Sequence, residues 1–242
     1  MKVKNHPRVV WITGASSGIG KALAEVFAGA GDIVIATSRR LAALRSVQKQ
    51  LRHAGIHCEV KLCDVKKEGD ILRTARSILK RYRRIDILIN NAGVTSFHEF
   101  LRTPTNEFDD ILSTNLRSLF LTSKAVLPAM LRKNRGTIIN ILSYAAKTTY
   151  TKSAAYSTAK SGAEALMNVL RAEMRVRGIK IMNVYPGAVM TPMWTRKLRK
   201  RYSKAMMSPH DVATLVYQLS VQPDSVHVEE VIVRPPSGDL QV

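Results

Sequence analysis

A chain of 242 residues, 45% of them hydrophobic, is long enough for one α/β domain with a substantial core, and nothing in its composition calls for a second. No apolar run approaches the roughly 18 residues that span a bilayer, and Val9-Val10-Trp11-Ile12 is too short for a signal sequence, so a cytoplasmic chain without a membrane span is expected. The formal charge of +20 suits acidic partners, but it is spread along the chain with no base-reading or aromatic stacking module, so nucleic acid is not expected.

Arg8 to Thr13 reads as a buried strand, followed by a glycine-rich turn and a helix through Leu23, Val26 and Phe27 that closes at Gly31. In the turn Thr13-Gly14-Ala15-Ser16-Ser17-Gly18-Ile19-Gly20, missing Cβ atoms let the backbone approach a pyrophosphate. The helix it opens has free N–H groups and a dipole that favour anions. Gly14, Ser16, Ser17, Gly18, Ile19 and Gly20 are therefore candidate cofactor contacts. Ile33 to Thr37 is the second strand, and its end is where a doubly wound sheet meets an adenosine ribose. Ser38, Arg39 and Arg40 stand there. No carboxylate is present to bind a free 2′-hydroxyl or repel a 2′-phosphate, which favours NADP over NAD. Arg39 is the expected phosphate partner, and Arg40 either joins it or is solvated.

A helix over 41–54, a strand over 57–62 and a helix over 68–83 continue the alternation. Cys58 and Cys63, five apart in that strand-like run, fall on opposite faces and read as two reduced structural thiols, with no companions for a metal site. Asp64, with Val65 beside it, either meets the adenine amino group or caps the next turn. Ile85 to Asn90 is a fourth strand, covered on both faces, and Asn90-Asn91-Ala92-Gly93 follows at once. Its amides can tie strand ends while Asn91, Ala92 and Gly93 admit the cofactor. The apolar pattern predicts one long helix over 105–132, in which Asn115 is placed to hold a water between backbone and Lys160.

A fifth strand over 136–142 ends at Ser143. Tyr156 and Lys160 then stand four apart at the start of a helix ending near Gly178, which stacks them on one face. A fixed ammonium beside a phenol favours phenolate, making the pair a proton donor for a carbonyl. Bringing the phenol from about 10 to about 7 takes roughly 4 kcal/mol, which a cation about 4 Å away at an effective dielectric near 20 supplies. A Tyr-x-x-x-Lys pair alone arises by chance; its weight comes from the motifs that precede it in order. After a sixth strand over 179–185, Pro186-Gly187 turns the chain away. Residues 188–207 read as a substrate lid holding Thr191, Trp194 and six basic residues between Arg196 and Lys204, either a solvated face or a guide for an anionic substrate or carrier. Ser208-Pro209-His210-Asp211 starts a helix cleanly, and Val228 to Val233 is a last strand.

From Arg8 to Val233 these motifs resemble the short-chain dehydrogenase/reductase family. The resemblance implies a single-domain Rossmann fold over 1–242, α/β, with a doubly wound seven-stranded parallel sheet flanked by helices. It also implies a homodimer or homotetramer joined through the helices carrying Asn115 and Tyr156. On the family pattern Tyr156 donates the proton as NADPH delivers hydride to a ketone carbonyl, and Ser143 hydrogen-bonds the carbonyl oxygen. Lys160 binds the nicotinamide ribose and lowers the Tyr156 pKa, while Asn115 maintains a water relay. Val189 and Thr191 meet the carboxamide, with Pro186-Gly187 bordering the ring.

The segment Pro186-Gly187-Ala188-Val189-Met190-Thr191-Pro192-Met193-Trp194 and the ending Val228 to Pro235 with Ser237-Gly238-Asp239-Leu240 resemble bacterial sepiapterin reductases. The Thr-Gly and Gly-Gly ending of many 3-oxoacyl-(acyl carrier protein) reductases is missing. Phe97 and Trp194 either sandwich a flat pterin ring or anchor core and lid. The expected activity is NADPH-dependent reduction of a small-molecule carbonyl. One alternative is a reductase of acyl-carrier-protein thioesters, for which the basic lid and Arg132, Lys133, Arg171 and Arg175 argue. The other is a non-catalytic NADP-binding protein.

Overall fold

Seven runs, most of them apolar and rich in β-branched residues, pair side by side in the computed structural model, which describes residues 7–238 and 240. Asp239, part of the ending quoted above, lies outside the described residues. The strands are β1 (Val9–Thr13), β2 (Ile33–Ser38), β3 (Glu59–Leu62), β4 (Ile87–Asn90), β5 (Gly136–Ile141), β6 (Ile179–Pro186) and β7 (Glu230–Val233). They form one parallel sheet in the order β3-β2-β1-β4-β5-β6-β7. Parallel strands need crossovers, and the helices that make them cover both faces. That is why β1, Val-Val-Trp-Ile-Thr, is buried at every residue. Helices α1 (Gly18–Gly29), α2 (Leu41–His53) and the late helix over 209–220 pack on one face. Helices α3 (Glu68–Tyr82), the helix over 118–131 and the helix over 154–174 pack on the other, and the helix over 105–112 packs against the last of these. Cys58 joins the first core and Cys63 the second, both free; burial pushes their thiols up to about 12 and about 11, so neither is a thiolate at neutral pH.

The strand order reverses between β1 and β4, which opens a crevice at the carboxyl ends of those strands. Buried amides hold the register there. Asn90 Nδ2 donates to Asn140 Oδ1 and Asn140 Nδ2 to Asn183 Oδ1, each at 2.9 Å, across three neighbouring strands. Thr122 Oγ1 closes one end of this ladder on Asn90 Oδ1, and Asn168 accepts from Asn183 at the other. A one-residue slip of any strand would leave buried amides unpaired.

The single helix expected over 105–132 is instead α4 (Thr105–Leu112) and α5 (Ser118–Leu131), joined by one wider π turn at Ser113–Arg117. The extra residue rotates Asn115 inward, where it is fully buried. Helix α6 (Ala154–Met174) carries Tyr156 and Lys160, and Gly178 follows it in the left-handed region at φ +69°, pressed against the Asn134 carbonyl. Helix α7 (Arg196–Arg201) lies within the stretch read as a lid, a short helix capped by Thr195 that the periodicity did not resolve. Helix α8 (Pro209–Ser220) begins with a full capping box: Ser208 Oγ accepts from Asp211 N, and Asp211 Oδ2 accepts from Ser208 N. No helix of the described residues is long and apolar enough to cross a membrane.

Candidate active site

The turn after β1 is shaped by contact with the loop after β4. A Cβ on Gly14 would lie 2.7 Å from Ala92 Cα, and one on Gly20 would collide with Asn91 Nδ2 and the Gly14 carbonyl. Asn91 Nδ2 donates to the carbonyls of Thr13 and Gly14, while Thr13 Oγ1 accepts from the backbone N–H groups of Asn91 and Ala92. The cradle is thus closed from below, and the α1 N-terminus at Gly18 opens above it. Gly14 and Gly18 both hold positive φ, +68° and +55°. Thr191 comes down on Gly18, since a Cβ there would stand 3.1 Å from its Cγ2. Ser17 is the α1 N-cap in extended backbone, and Ile19 packs against the first core.

At the end of β2, Ser38 Oγ donates to Ser16 Oγ at 3.0 Å and accepts the Arg40 backbone N–H. The Arg40 guanidinium reaches Ser16 Oγ at 3.3 Å, whereas Arg39 is exposed and makes no such bond. The sequence favoured Arg39; the structure turns Arg40 toward the two serines because its own backbone N–H is pinned to Ser38. Asp64 takes the turn-capping alternative with one oxygen, Oδ1, on Lys66 N, and Val65 is buried beside it.

Ser143, at the end of β5, accepts the Ala145 N–H and shares a hydrogen bond with Tyr156. Lys160 is 4% exposed; its Nζ donates to the Ile141 carbonyl at 3.0 Å and lies 5.7 Å from the Tyr156 ring centroid. Gly93 leaves open the space between Asn115 Oδ1 and Lys160 Nζ, 3.4 and 3.8 Å from where its Cβ would be. Asn115 clamps Val94 from both sides, Oδ1 accepting from its N–H at 2.8 Å and Nδ2 donating to its carbonyl at 2.7 Å. One acceptor site and one donor proton of the buried amide are spent on that loop.

The expected lowering of the Tyr156 pKa does not appear. Burial raises the phenol above its usual value, with the Ser143 hydrogen bond opposing, and burial lowers Lys160 to about 8. The Lys160 proton points to the Ile141 carbonyl rather than to the phenol oxygen. At neutral pH both groups keep their protons, the state a proton donor requires.

Val189 bridges Met207, and Met190 N and Met207 N donate to the Met207 and Ala188 carbonyls, so the stretch between is a loop with joined stems. Trp194 stacks directly on Phe97, centroids 6.2 Å apart and planes 18° from parallel. A ring held between two others needs about 7 Å between them, so the 6.2 Å centroid separation falls short of a sandwich by about 1 Å. Gly187 N donates to the Val233 carbonyl, which sets the Pro186-Gly187 turn beside β7. The Asn90-Asn140-Asn183 ladder escaped the sequence reading, because only the sheet register brings those positions together.

A family model described as short chain dehydrogenase matches residues 8–202. A sepiapterin reductase of Chlorobaculum tepidum is 35% identical over 96% of this chain and 98% of its own. Among solved structures, a metagenomic short-chain oxidoreductase in complex with NADP is 34% identical with a TM-score of 0.83, over 94% of this chain and 96% of that one. A variant of actinorhodin polyketide ketoreductase with NADPH is 29% identical with a TM-score of 0.88, over 97% and 98%. With the match extending from β1 through α7, this chain belongs to the short-chain dehydrogenase family of oxidoreductases.

Proposed function

We propose that the chain is an NADPH-dependent reductase of a ketone carried on a small flat molecule. The observation that carries this reading is the convergence of Ser143, Tyr156 and Lys160 at the crevice that the glycine turn also borders. NADPH, when bound, supplies the hydride. Gly14, Ser16, Ser17, Gly18, Ile19 and Gly20 hold the pyrophosphate on the α1 N-terminus, and Ser38 and Arg40 take the 2′-phosphate. Asn91, Ala92, Gly93, Pro186, Gly187, Val189 and Thr191 line the nicotinamide end, with Asp64 and Val65 at the adenine. Ser143 and Tyr156 bind the carbonyl oxygen. Tyr156 gives it a proton as negative charge develops, and the Lys160 cation favours the phenolate left behind. The wider turn around Asn115 frees backbone carbonyl capacity for a water next to Lys160, which restores the proton.

Residues 188–207 act as the lid, and Trp194 and Phe97 open by about 1 Å to take the ring between them. The 35% identity to a sepiapterin reductase supports a pterin-like substrate. Phe120 and Val169, about half exposed on α5 and α6, support assembly through those helices into a dimer or tetramer. The test is NADPH and NADH oxidation against sepiapterin, a simple diketone, an acetoacetyl thioester and a ketosteroid. Sepiapterin should lead with NADPH, and failure of every carbonyl despite tight NADPH binding would favour the non-catalytic reading. Trp194→Ala should raise KM for sepiapterin about tenfold, the loss of one stacked face, while leaving the diketone within about twofold.

Cofactor choice has its own test. Ser38→Asp puts a carboxylate where Ser16 and Arg40 converge, so kcat/KM with NADPH should fall about 100-fold or more while NADH improves. Equal losses with both cofactors would remove the 2′-phosphate from this corner.

A second reading, a reductase of acyl-carrier thioesters, is favoured by one observation. No Asp or Glu occurs from Met174 to His210, and among the described residues none of the six lid cations has an ion-pair partner. A carrier-bound acetoacetyl group reduced no faster than its small thioester, with no effect of salt, would dismiss it.

A further inference from the structure

We propose that the cleft between α2 and the approach to β3 is a second anion site, which takes a chain of linked phosphates independently of the cofactor crevice. The cleft has a volume of about 510 Å³, within the range of small-ligand pockets. Arg45, Lys49 and Arg52 line one wall, with His57 across from them and Ile56 and the Cys58 backbone at its base. Spacings of four and three residues put the three α2 cations on one helix face. All three are exposed, and among the described residues none has a carboxylate partner.

The absence of counter-charge extends beyond the cleft. From Ile33 to Cys58 the chain contains no Asp or Glu. Glu59, the next acid along, is engaged by Arg81 and Tyr82. Some cations elsewhere are paired, as Arg8 is with Asp32 and Lys147 with Glu164 and Glu230, but among the described residues those of the cleft, like those of residues 196–204, are not. Like charges one turn apart oppose helix formation, and α2 has neither a side-chain cap nor an acidic residue in its first turn to offset them. An anion in the cleft removes that repulsion.

The helix is also tied in place beside the cleft: Gln48 Nε2 donates to the Cys58 carbonyl at 2.8 Å, which joins α2 to the strand approach. Arg45 and Arg52 are seven residues apart, about 10 Å along the helix. That span matches a run of linked phosphates better than a single one. The site is distinct from the crevice because α2 starts at Leu41, behind Ser38 and Arg40, and runs toward the amino ends of the strands, where His57 precedes β3.

The experiment is calorimetric titration of the full-length, NADPH-saturated protein with inorganic triphosphate at low salt. Saturable one-to-one binding is expected, weakening steeply as salt rises, and weakened about 30-fold or more by Arg45→Gln, Lys49→Gln and Arg52→Gln together. These are surface changes that remove repulsion, so the triple variant should melt no lower than the parent and reduce carbonyls at the same rate. Adenosine triphosphate binding like inorganic triphosphate supports recognition of the phosphate chain itself. Four results overturn the site: no saturable binding, binding abolished by NADPH, orthophosphate binding as tightly as triphosphate, or loss of binding in Lys197→Gln, Lys200→Gln, Arg201→Gln but not in the α2 variant.

Discussion

Tyr156→Phe should lower kcat for carbonyl reduction by about 10³-fold while leaving NADPH affinity within about twofold. The factor is that of a positioned general acid, and about 4 kcal/mol of barrier corresponds to it. The phenyl ring keeps the packing of the tyrosine and its position beside Lys160, whose Nζ is held by the Ile141 carbonyl rather than by the phenol oxygen. Only the hydrogen bond with Ser143 and the transferable proton are lost, so stability should drop by no more than about 1 kcal/mol. Steady-state turnover alongside a fluorescence titration of NADPH separates the two effects. Retention of more than a tenth of the parent kcat would move the proton donor to Ser143 or to solvent.

The elements that can be read from sequence are those fixed by local chemistry. The strand, glycine turn and helix at residues 8–29, the capping box at Ser208 and the opposite burial of Cys58 and Cys63 all follow from periodicity, conformational freedom or side-chain spacing within a few residues. What escaped depends on distant parts of the chain. The π turn at Ser113–Arg117 exists because Asn115 bonds both backbone groups of Val94, 21 residues away, and nothing in the apolar pattern of 105–132 encodes that clamp. The contact of the Arg40 guanidinium with Ser16 depends on a residue of another turn. The stacking of Phe97 and Trp194, read from sequence as either a ring clamp or an anchor of core and lid, joins residues far apart in the chain. The sign of the Tyr156 shift went the other way because a pairwise Coulomb estimate omits burial, the larger influence here.

That same burial sets the second large effect. Lys160 is 4% exposed with one hydrogen bond to Ile141, and burial lowers its pKa from the ordinary lysine range to about 8. A folded-state pKa below the unfolded one means the unfolded chain binds the proton more tightly. The penalty is therefore full below about pH 8, shrinks as pH rises from about 8 to about 10.5, and is gone above. Its size is about 3 kcal/mol. Lys160→Met keeps the length of the side chain, removes the buried charge and forfeits one hydrogen bond worth about 1 kcal/mol. The variant should thus be more stable than the parent by about 2 kcal/mol at neutral pH, with the gap closing near pH 10, as read by urea unfolding of both proteins. Reduction should fall about 10³-fold or more, because the cation that favours the phenolate is gone. The parent should itself lose reductase activity above about pH 8, as Lys160 gives up its proton. A variant less stable than the parent at neutral pH would show that the ammonium is held by more than the Ile141 carbonyl. The crevice would then be a stabilised site, not one kept at a cost in stability for its chemistry.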